Sequence, residues 1–343
     1  MFITGHSGFK GTWLCKVLLE LGADVYGYSL LPSPDQILFS LSGVEKDVKN
    51  IWGDVRDYEK LQASLTETNP DMVIHMAAQP IVKEGYNDPV GTYSTNVMGT
   101  VHLLEASRRC TEVKSIINVT TDKVYLNRED AIPFVETDQL NGYDPYSNSK
   151  SCSELVTSAY KNSFWGDRDI AVSTCRAGNV IGGGDFASNR IIPDCYRAVS
   201  QKRIIQVRNP FSIRPYQHVL EPLYAYLLLG KLQYENSKYQ GEYNIGPRKE
   251  SIIGTGDLVE LFCERWGEDA KWEHMEEINA VHEAGLLYLN CEKAENTLGW
   301  KQTWNISECM DKTVEWYKRY YEQENMNRCM SDQVCGFFKE AQL

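Results

Sequence analysis

The chain has 343 residues, 42% of them hydrophobic, and carries 35 Lys and Arg against 47 Asp and Glu for a net charge of -12. That apolar share can bury one large core or two adjoining ones and excludes a disordered chain. The acidic balance excludes a non-specific binder of phosphate backbones, which needs clustered cations. No run nears ~18 apolar residues and no leader or polybasic stretch is visible, so a soluble, cytoplasmic protein without membrane or nucleic-acid partners is expected. The ten cysteines stand singly, with no CxxC pair, which is the pattern of reduced cytosolic thiols and not of a disulfide framework or a metal site.

In chain order, Phe2-Ile3-Thr4 opens a strand, Gly5 to Gly11 turns, and Thr12 to Leu21 forms a helix ending at Gly22. Asp24 to Tyr28 is a second strand, Val48 to Trp52 a third, Tyr58 to Thr68 a helix, and Asp71 to Met76 a buried fourth strand. Its exit, Ala77-Ala78, is small enough for a ligand to approach the backbone at the carboxyl edge of a sheet. Asp88-Pro89 begins a long helix through Arg109, since aspartate caps and proline suits the first helical position. Ser115 to Val119 is the next strand and runs into Thr120-Thr121-Asp122-Lys123. Asp144 and Pro145 open a helix from Tyr146 to Phe164, followed by a strand from Ile170 to Cys175.

This alternation predicts an α/β fold: a Rossmann-type doubly wound parallel sheet with a smaller, mostly carboxy-terminal substrate-binding domain. The alternation breaks at Gly182-Gly183-Gly184-Asp185. The expected division is 1–175 for the first domain, with a returning segment near 213–235; 176–212 and 236–325 for the second; and 326–343 as a tail. From Cys329 onward little pattern is visible, so the tail either packs or frays.

Gly5, Gly8 and Gly11 have the G-x-x-G-x-x-G spacing between a strand and a helix, where backbone must come close to a pyrophosphate. The second strand ends Gly27-Tyr28-Ser29-Leu30, without the acid that usually binds an adenosine ribose. Either Ser29 bonds the ribose or Lys10, or another cation, accepts a 2'-phosphate. Asp54 stands where an adenine contact is expected. Tyr146 and Lys150 fall one turn apart on one helix face. A free phenol titrates near ~10, and a fixed ammonium favours the phenolate, a base toward a sugar or alcohol hydroxyl. Such a base needs a hydride acceptor, which the glycine motif suggests. His218 and His282 have no acidic partner in view and read as structural.

With these motifs in place the chain resembles the extended short-chain dehydrogenase/reductase family, in its nucleotide-sugar branch. Several blocks look like the CDP-glucose 4,6-dehydratases within it: Thr-Gly-His-Ser-Gly-Phe-Lys-Gly at 4–11, His-Met-Ala-Ala-Gln-Pro at 75–80, Gly-Tyr-Asp-Pro-Tyr-Ser-Asn-Ser-Lys at 142–150 and Arg-Ala-Gly-Asn-Val-Ile-Gly-Gly-Gly-Asp at 176–185. The resemblance implies a lyase using tightly held NAD. Its cofactor residues would be Gly5, His6, Ser7, Gly8, Phe9, Lys10, Gly11, Asp54, Val55, Ala77, Ala78, Gln79, Thr120, Tyr146 and Lys150.

It also implies an internal redox loop on CDP-glucose, of the kind that feeds deoxysugar and lipopolysaccharide O-antigen synthesis. Tyr146, tuned by Lys150 and bonded through Thr121, takes the proton of the sugar 4-hydroxyl as C4 is oxidised. The ketone acidifies C5; Asp122 protonates the leaving 6-hydroxyl; hydride returns to C6 and gives CDP-4-keto-6-deoxyglucose. The dTDP-glucose and GDP-mannose enzymes have glutamate where this chain has Lys123. The lysine either acts as the C5 base with a depressed pKa or stabilises the enolate as a cation. Asn179, Arg190, Arg208 and Arg214 would line the substrate cleft, no metal is implied, and a homodimer or dimer of dimers through the helices at 88–109 and 146–164 is expected. Family members carry several residues before the first strand, so that strand is expected to be clipped here. A nucleotide-sugar 4-epimerase, a dehydratase for another nucleotide, and an idle NAD-binding module are the rival readings.

Overall fold

Successive residues of a strand point to opposite faces, and the buried side chains divide that way. Phe2, Tyr28, Val73, Ile116 and Val172 join one apolar cluster, while their neighbours Ile3, Ile74 and Ile117 join another. The computed structural model describes residues 1–34, 36–128, 132–166, 169–267, 269–275 and 287–341. Its central sheet has seven strands: β1 (Phe2–Thr4), β2 (Tyr26–Ser29), β3 (Lys49–Trp52), β4 (Met72–His75), β5 (Ser115–Val119), β6 (Ala171–Ala177) and β7 (Glu242–Ile245). All are parallel, in the order β7-β6-β5-β4-β1-β2-β3. The order reverses between β1 and β4, and that crevice is where open α/β sheets take ligands.

Helices α1 (Phe9–Glu20), α2 (Tyr58–Thr68), α3 (Gly99–Ser107), α4 (Pro145–Phe164), α5 (Ile191–Ser200), α6 (Leu220–Glu235), α7 (Thr255–Trp266), α8 (Ile306–Tyr321) and α9 (Met326–Glu340) cover the sheet and its extension. Leu61, Leu65, Leu103 and Leu104 of α2 and α3 cover one face; Trp13, Leu14, Leu223 and Leu229 of α1 and α6 cover the other.

Three departures from the sequence reading have physical causes. The expected long helix from Asp88 is helical but interrupted: Pro89–Tyr93 runs into a π-turn at Ser94–Met98 before α3. The side chain of Asn96, in that π-turn, accepts from the Gln79 backbone N–H at 2.8 Å and donates to the Gln79 carbonyl and to Ser149, tying the helix to the exit of β4 and to α4. The tail, instead of lacking pattern, contains α9. Asn325 caps it through the Arg328 N–H at 3.0 Å, and Met326, Cys329, Met330, Val334 and Phe337 form its buried stripe. Phe337 meets the Trp304 ring at 4.9 Å and Asn327 accepts from Lys16 of α1 at 2.6 Å. Finally, β7 comes from the 236–325 stretch expected in the smaller domain, yet it pairs with β6 along Glu242 to Ile245. Four residues give too short an alternation for the pairing to show before the chain folds.

The smaller region beyond β6 is held by short pairings: Val180–Ile181 with Gln217–His218, Ile213–Pro215 with Ile252–Gly254, and Ile205–Val207 with Trp272–His274. Among the described residues no helix is long and apolar enough to cross a membrane.

Candidate functional site

At the glycine turn, Gly5 has φ +74°, and a Cβ there would lie 2.8 Å from the Ala77 nitrogen. A Cβ on Gly11 would lie 2.1 Å from the Gly5 carbonyl, so both glycines are required for the turn to close. Gly8 differs, because its Cβ would meet only the Gly5 carbonyl, at 3.5 Å. Gly8 is also the N-cap of α1, with no side chain to cap the helix and no acid in the first turn. The unsatisfied N–H groups and open side of this helix end fit the pyrophosphate of a dinucleotide.

The other residues of the turn have distinct fates. The Ser7 hydroxyl pairs with that of Ser29 at 2.7 Å, placing two hydroxyls at the end of β2, where an acid would bind a ribose. Lys10 points elsewhere: its ammonium donates to the Tyr226 hydroxyl at 3.3 Å and feels the charges of Lys150, Arg190 and Asp122. The reading in which Lys10 receives a 2'-phosphate at the ribose end is therefore not favoured. His6 is fully buried, bonds Asn50 at 3.0 Å and stacks on Trp52 at 5.4 Å. Burial holds its pKa down to about 4, so it is a neutral group packed against β3. Phe9 packs toward Gly182.

Farther along the edge, the Asp54 carboxylate is forked on Arg56 at 2.6 Å, and Val55 is buried against Gly99. The Ala77 N–H donates to Thr4 at 3.1 Å, Ala78 follows half-buried, and the Gln79 side chain is spent on Thr92 and the Ile81 N–H.

The end of β5 meets the start of α4 at the centre of the site. Asp144 caps α4 through the Ser147 N–H at 3.0 Å and Pro145 is its first residue, which sets Tyr146 and Lys150 on one buried face. Thr121 hydrogen-bonds Tyr146 and donates to Asp122 Oδ1 at 2.9 Å. Lys123 reaches the same oxygen at 3.3 Å. Asp122 Oδ2 is buried with no hydrogen-bond partner. A Cβ on Gly178 would come within 2.9 Å of it, so glycine there leaves the oxygen room.

The electrostatics of the pair run against the simplest expectation. Lys150 donates to the Val119 carbonyl at 3.1 Å, and the charges that act on Tyr146 are those of Asp122, Arg190 and Asp144. Burial pushes the phenol up to about 12, opposed by the Thr121 hydrogen bond and by Arg190, and pushes the Lys150 ammonium down to about 8, opposed by Glu154. Loss of hydration disfavours both charged forms and outweighs the neighbouring charges.

Among the residues expected to meet a substrate, Arg190 opens α5 and pairs with Asp185 at 2.7 Å, close enough for its charge to bear on Tyr146. Arg208 follows the strand Ile205–Val207, Arg214 lies opposite Ile253 in a separate pairing, and the Asn179 carbonyl accepts from the Gln217 N–H at 3.1 Å. Thus Arg190 is brought near Tyr146, while Arg208 sits half-buried after one short strand and Arg214 half-buried within another. His218 is fully buried between Trp13 and Trp304 with its pKa held down to about 3 by burial, as a structural histidine. His282 lies outside the described residues.

Sequence reasoning missed a buried polar network. The Thr120 hydroxyl donates to Glu154, which also pairs with Arg176 at 2.9 Å. Arg176 donates to Tyr125 at 2.8 Å, and Tyr125 donates to Asn244 at 2.6 Å. The available signal was the position of Glu154 one turn beyond Lys150; its burial was not legible.

The sequence model described as GDP-mannose 4,6 dehydratase matches residues 2–313. A curated CDP-glucose 4,6-dehydratase of Salmonella typhimurium is 43% identical, with 98% of this chain and 95% of the relative covered. Among solved structures, the dTDP-glucose 4,6-dehydratase DesIV of Streptomyces venezuelae, with NAD bound, superposes with a TM-score of 0.80 at 21% identity, covering 95% of this chain and 99% of that one. The UDP-glucose 4-epimerase of Thermotoga maritima gives 0.80 at 21% identity, over 93% and 98%. The two structures speak to the fold, while the family match and the Salmonella relative extend over the site residues as well. The chain belongs to the GDP-mannose 4,6 dehydratase family, within the nucleotide-sugar branch of the extended short-chain dehydrogenases/reductases.

Proposed function

We propose that the protein is a lyase that dehydrates CDP-glucose to CDP-4-keto-6-deoxyglucose with NAD as a resident cofactor. The observation that carries the elimination is Asp122: a fully buried carboxyl group beside Thr121 and Tyr146, with one oxygen engaged and the other bare. An epimerase has no use for such a group. The Salmonella relative and the lysine at 123 support the cytidine nucleotide.

The open α1 terminus at Gly8 would hold the pyrophosphate, the Ser7 and Ser29 hydroxyls the ribose, and Ala77, Ala78 and Thr120 the edge along which the cofactor lies. Bound NAD would supply the hydride acceptor for C4 and the hydride returned to C6. Tyr146 would take the 4-hydroxyl proton as the phenolate, a form that burial disfavours and that the Thr121 hydrogen bond and the Arg190 charge favour, and the same bond orients the ring. Asp122 accepts at Oδ1 from Thr121 and Lys123 and leaves Oδ2 bare, so Oδ2 is the oxygen through which it would pass a proton to the departing 6-hydroxyl. Lys123, 3.3 Å from Asp122, would serve at C5, as base or as the cation beside the enolate. Arg190, Arg208 and Arg214 supply the cations a diphosphate needs in an acidic protein, and Asn179 lines the same cleft.

The exposed apolar side chains Val90, Met98, Leu155 and Phe164 lie on the helices expected to pair in a homodimer, which would work in the cytoplasm on the way to a deoxysugar such as those of lipopolysaccharide O-antigens. The test is incubation with CDP-glucose, dTDP-glucose, UDP-glucose and GDP-mannose, with and without added NAD, following the alkali-induced absorbance of 4-keto-6-deoxy sugars. Signal with CDP-glucose alone is expected. Interconversion of sugars at C4 without release of water would replace the dehydratase with an epimerase.

A further inference from the structure

Glu154 lies on α4 one turn past Lys150 and is 2% exposed. One carboxylate there gathers three elements. It accepts from Thr120 at the end of β5, and from Thr174 of β6 at 2.7 Å and Arg176 of β6 at 2.9 Å. Arg176 is 2% exposed and extends the tie to the Glu136 carbonyl at 2.9 Å. Thr120 is the residue before Thr121, and Lys150 rests on the carbonyl of Val119, so both groups that flank Tyr146 hang from the backbone that Glu154 holds.

We propose that Glu154 is a positioning residue of the reaction: by binding the ends of β5 and β6 to α4 it sets where Thr121 and Lys150 stand around Tyr146. The inference rests on the dehydratase reading for its activity assays but not for its cofactor-binding assay. Stability alone is a weak reason for the pair, because apolar residues of the same volume often serve a buried ion pair's place as well or better. The charge has a second use. Lys150 faces Lys10 from α1, neutral His75 from β4, Tyr146 on its own helix, and the Glu154 carboxylate, whose charge acts on it. Burial has already brought Lys150 to about 8, and Glu154 holds it from going lower.

The test compares the native protein with Glu154→Asp and the double variant Glu154→Gln/Arg176→Gln, which leaves no unpaired buried charge. The double variant should lose about 10-fold in kcat on CDP-glucose with KM changed less than about 3-fold. The alkaline limb of its pH profile should move down by about one unit, because Lys150 loses its proton earlier without the carboxylate. Glu154→Asp keeps the charge and should keep the native alkaline limb. A native kcat and profile in the double variant, or a loss equal at every pH, would overturn the proposal.

If the double variant does not fold, Thr120→Val and Thr174→Val each remove one bond from the same carboxylate. At saturating NAD both should lower kcat, Thr120→Val the more because Thr120 adjoins Thr121; a native kcat in both overturns the proposal. Calorimetric binding of NAD across pH separates this from the functional reading. If the native protein ignores CDP-glucose, the dehydratase reading fails, yet a downward shift in the pH dependence of NAD binding in the variant still supports the role of Glu154, and identical curves refute it.

Discussion

The β5–α4 edge and the arginine-bearing segments beyond β6, which the proposed function assigns to one site, stand under opposite physical conditions. At the edge, Thr120, Thr121, Asp122, Lys150 and Glu154 are each at most 5% exposed and nearly every polar atom is bonded. Arg190, Arg208 and Arg214, by contrast, are half-buried and stand at a helix start, just after one short strand and within another. The β5–α4 edge is thus preorganised by burial, which costs its charged forms their hydration, while the arginines keep their charges partly hydrated. On the proposed function, fixed groups would stand near the reacting atoms and adaptable ones near the diphosphate, as oxidation and elimination steps require.

This contrast can be broken most severely at Tyr146. Tyr146→Phe should lower kcat by about 10³-fold with little change in KM, measured as 4-keto sugar formed under substrate saturation. Asp122→Asn should cost about 10²-fold in product and shift the limiting step to elimination, so that the near-ultraviolet absorbance of reduced cofactor builds up during turnover; no such build-up would remove Asp122 from that step. Arg190→Gln should act mainly on binding, raising KM by roughly 10-fold, as for loss of one charge-assisted contact to a phosphate. An equal fall in kcat with unchanged KM would move Arg190 to the catalytic side of the comparison.

The gentlest probe is pH. His6, His75 and His218 have folded pKa values of about 4, 3 and 3, all lowered chiefly by burial, against an ordinary value of 6.5. Between about 6.5 and those values the unfolded chain binds more protons than the folded one, so stability falls as pH is lowered through that window. The urea midpoint should decline steadily from pH 7 toward 4.5. A flat profile would show that these histidines are not kept neutral in the fold.

The parts of the site that were legible beforehand are those whose residue types answer a backbone requirement. Glycine at 5 and 11 is demanded by a turn with no room for a Cβ, and Asp144-Pro145 announces a helix start that places positions 146 and 150 together. The parts that were not legible depend on what arrives from elsewhere in the chain. His6 lies within the glycine turn yet serves the packing between β2 and β3. Lys10 turns to Tyr226, 216 residues away, and Asp54 is consumed by its neighbour Arg56.

The sequence by itself determined the parallel α/β order, the glycine turn and the Tyr146–Lys150 register, because spacing along a strand or helix dictates facing without reference to distant residues. Only the tertiary structure decided the rest. It converted the tail into α9 by giving Phe337 and Met330 a surface to cover, recruited β7 to the sheet, and buried Tyr146 and Lys150 deeply enough that desolvation sets their ionisation. Burial is a property of the assembled molecule, and the protonation of this site follows from burial.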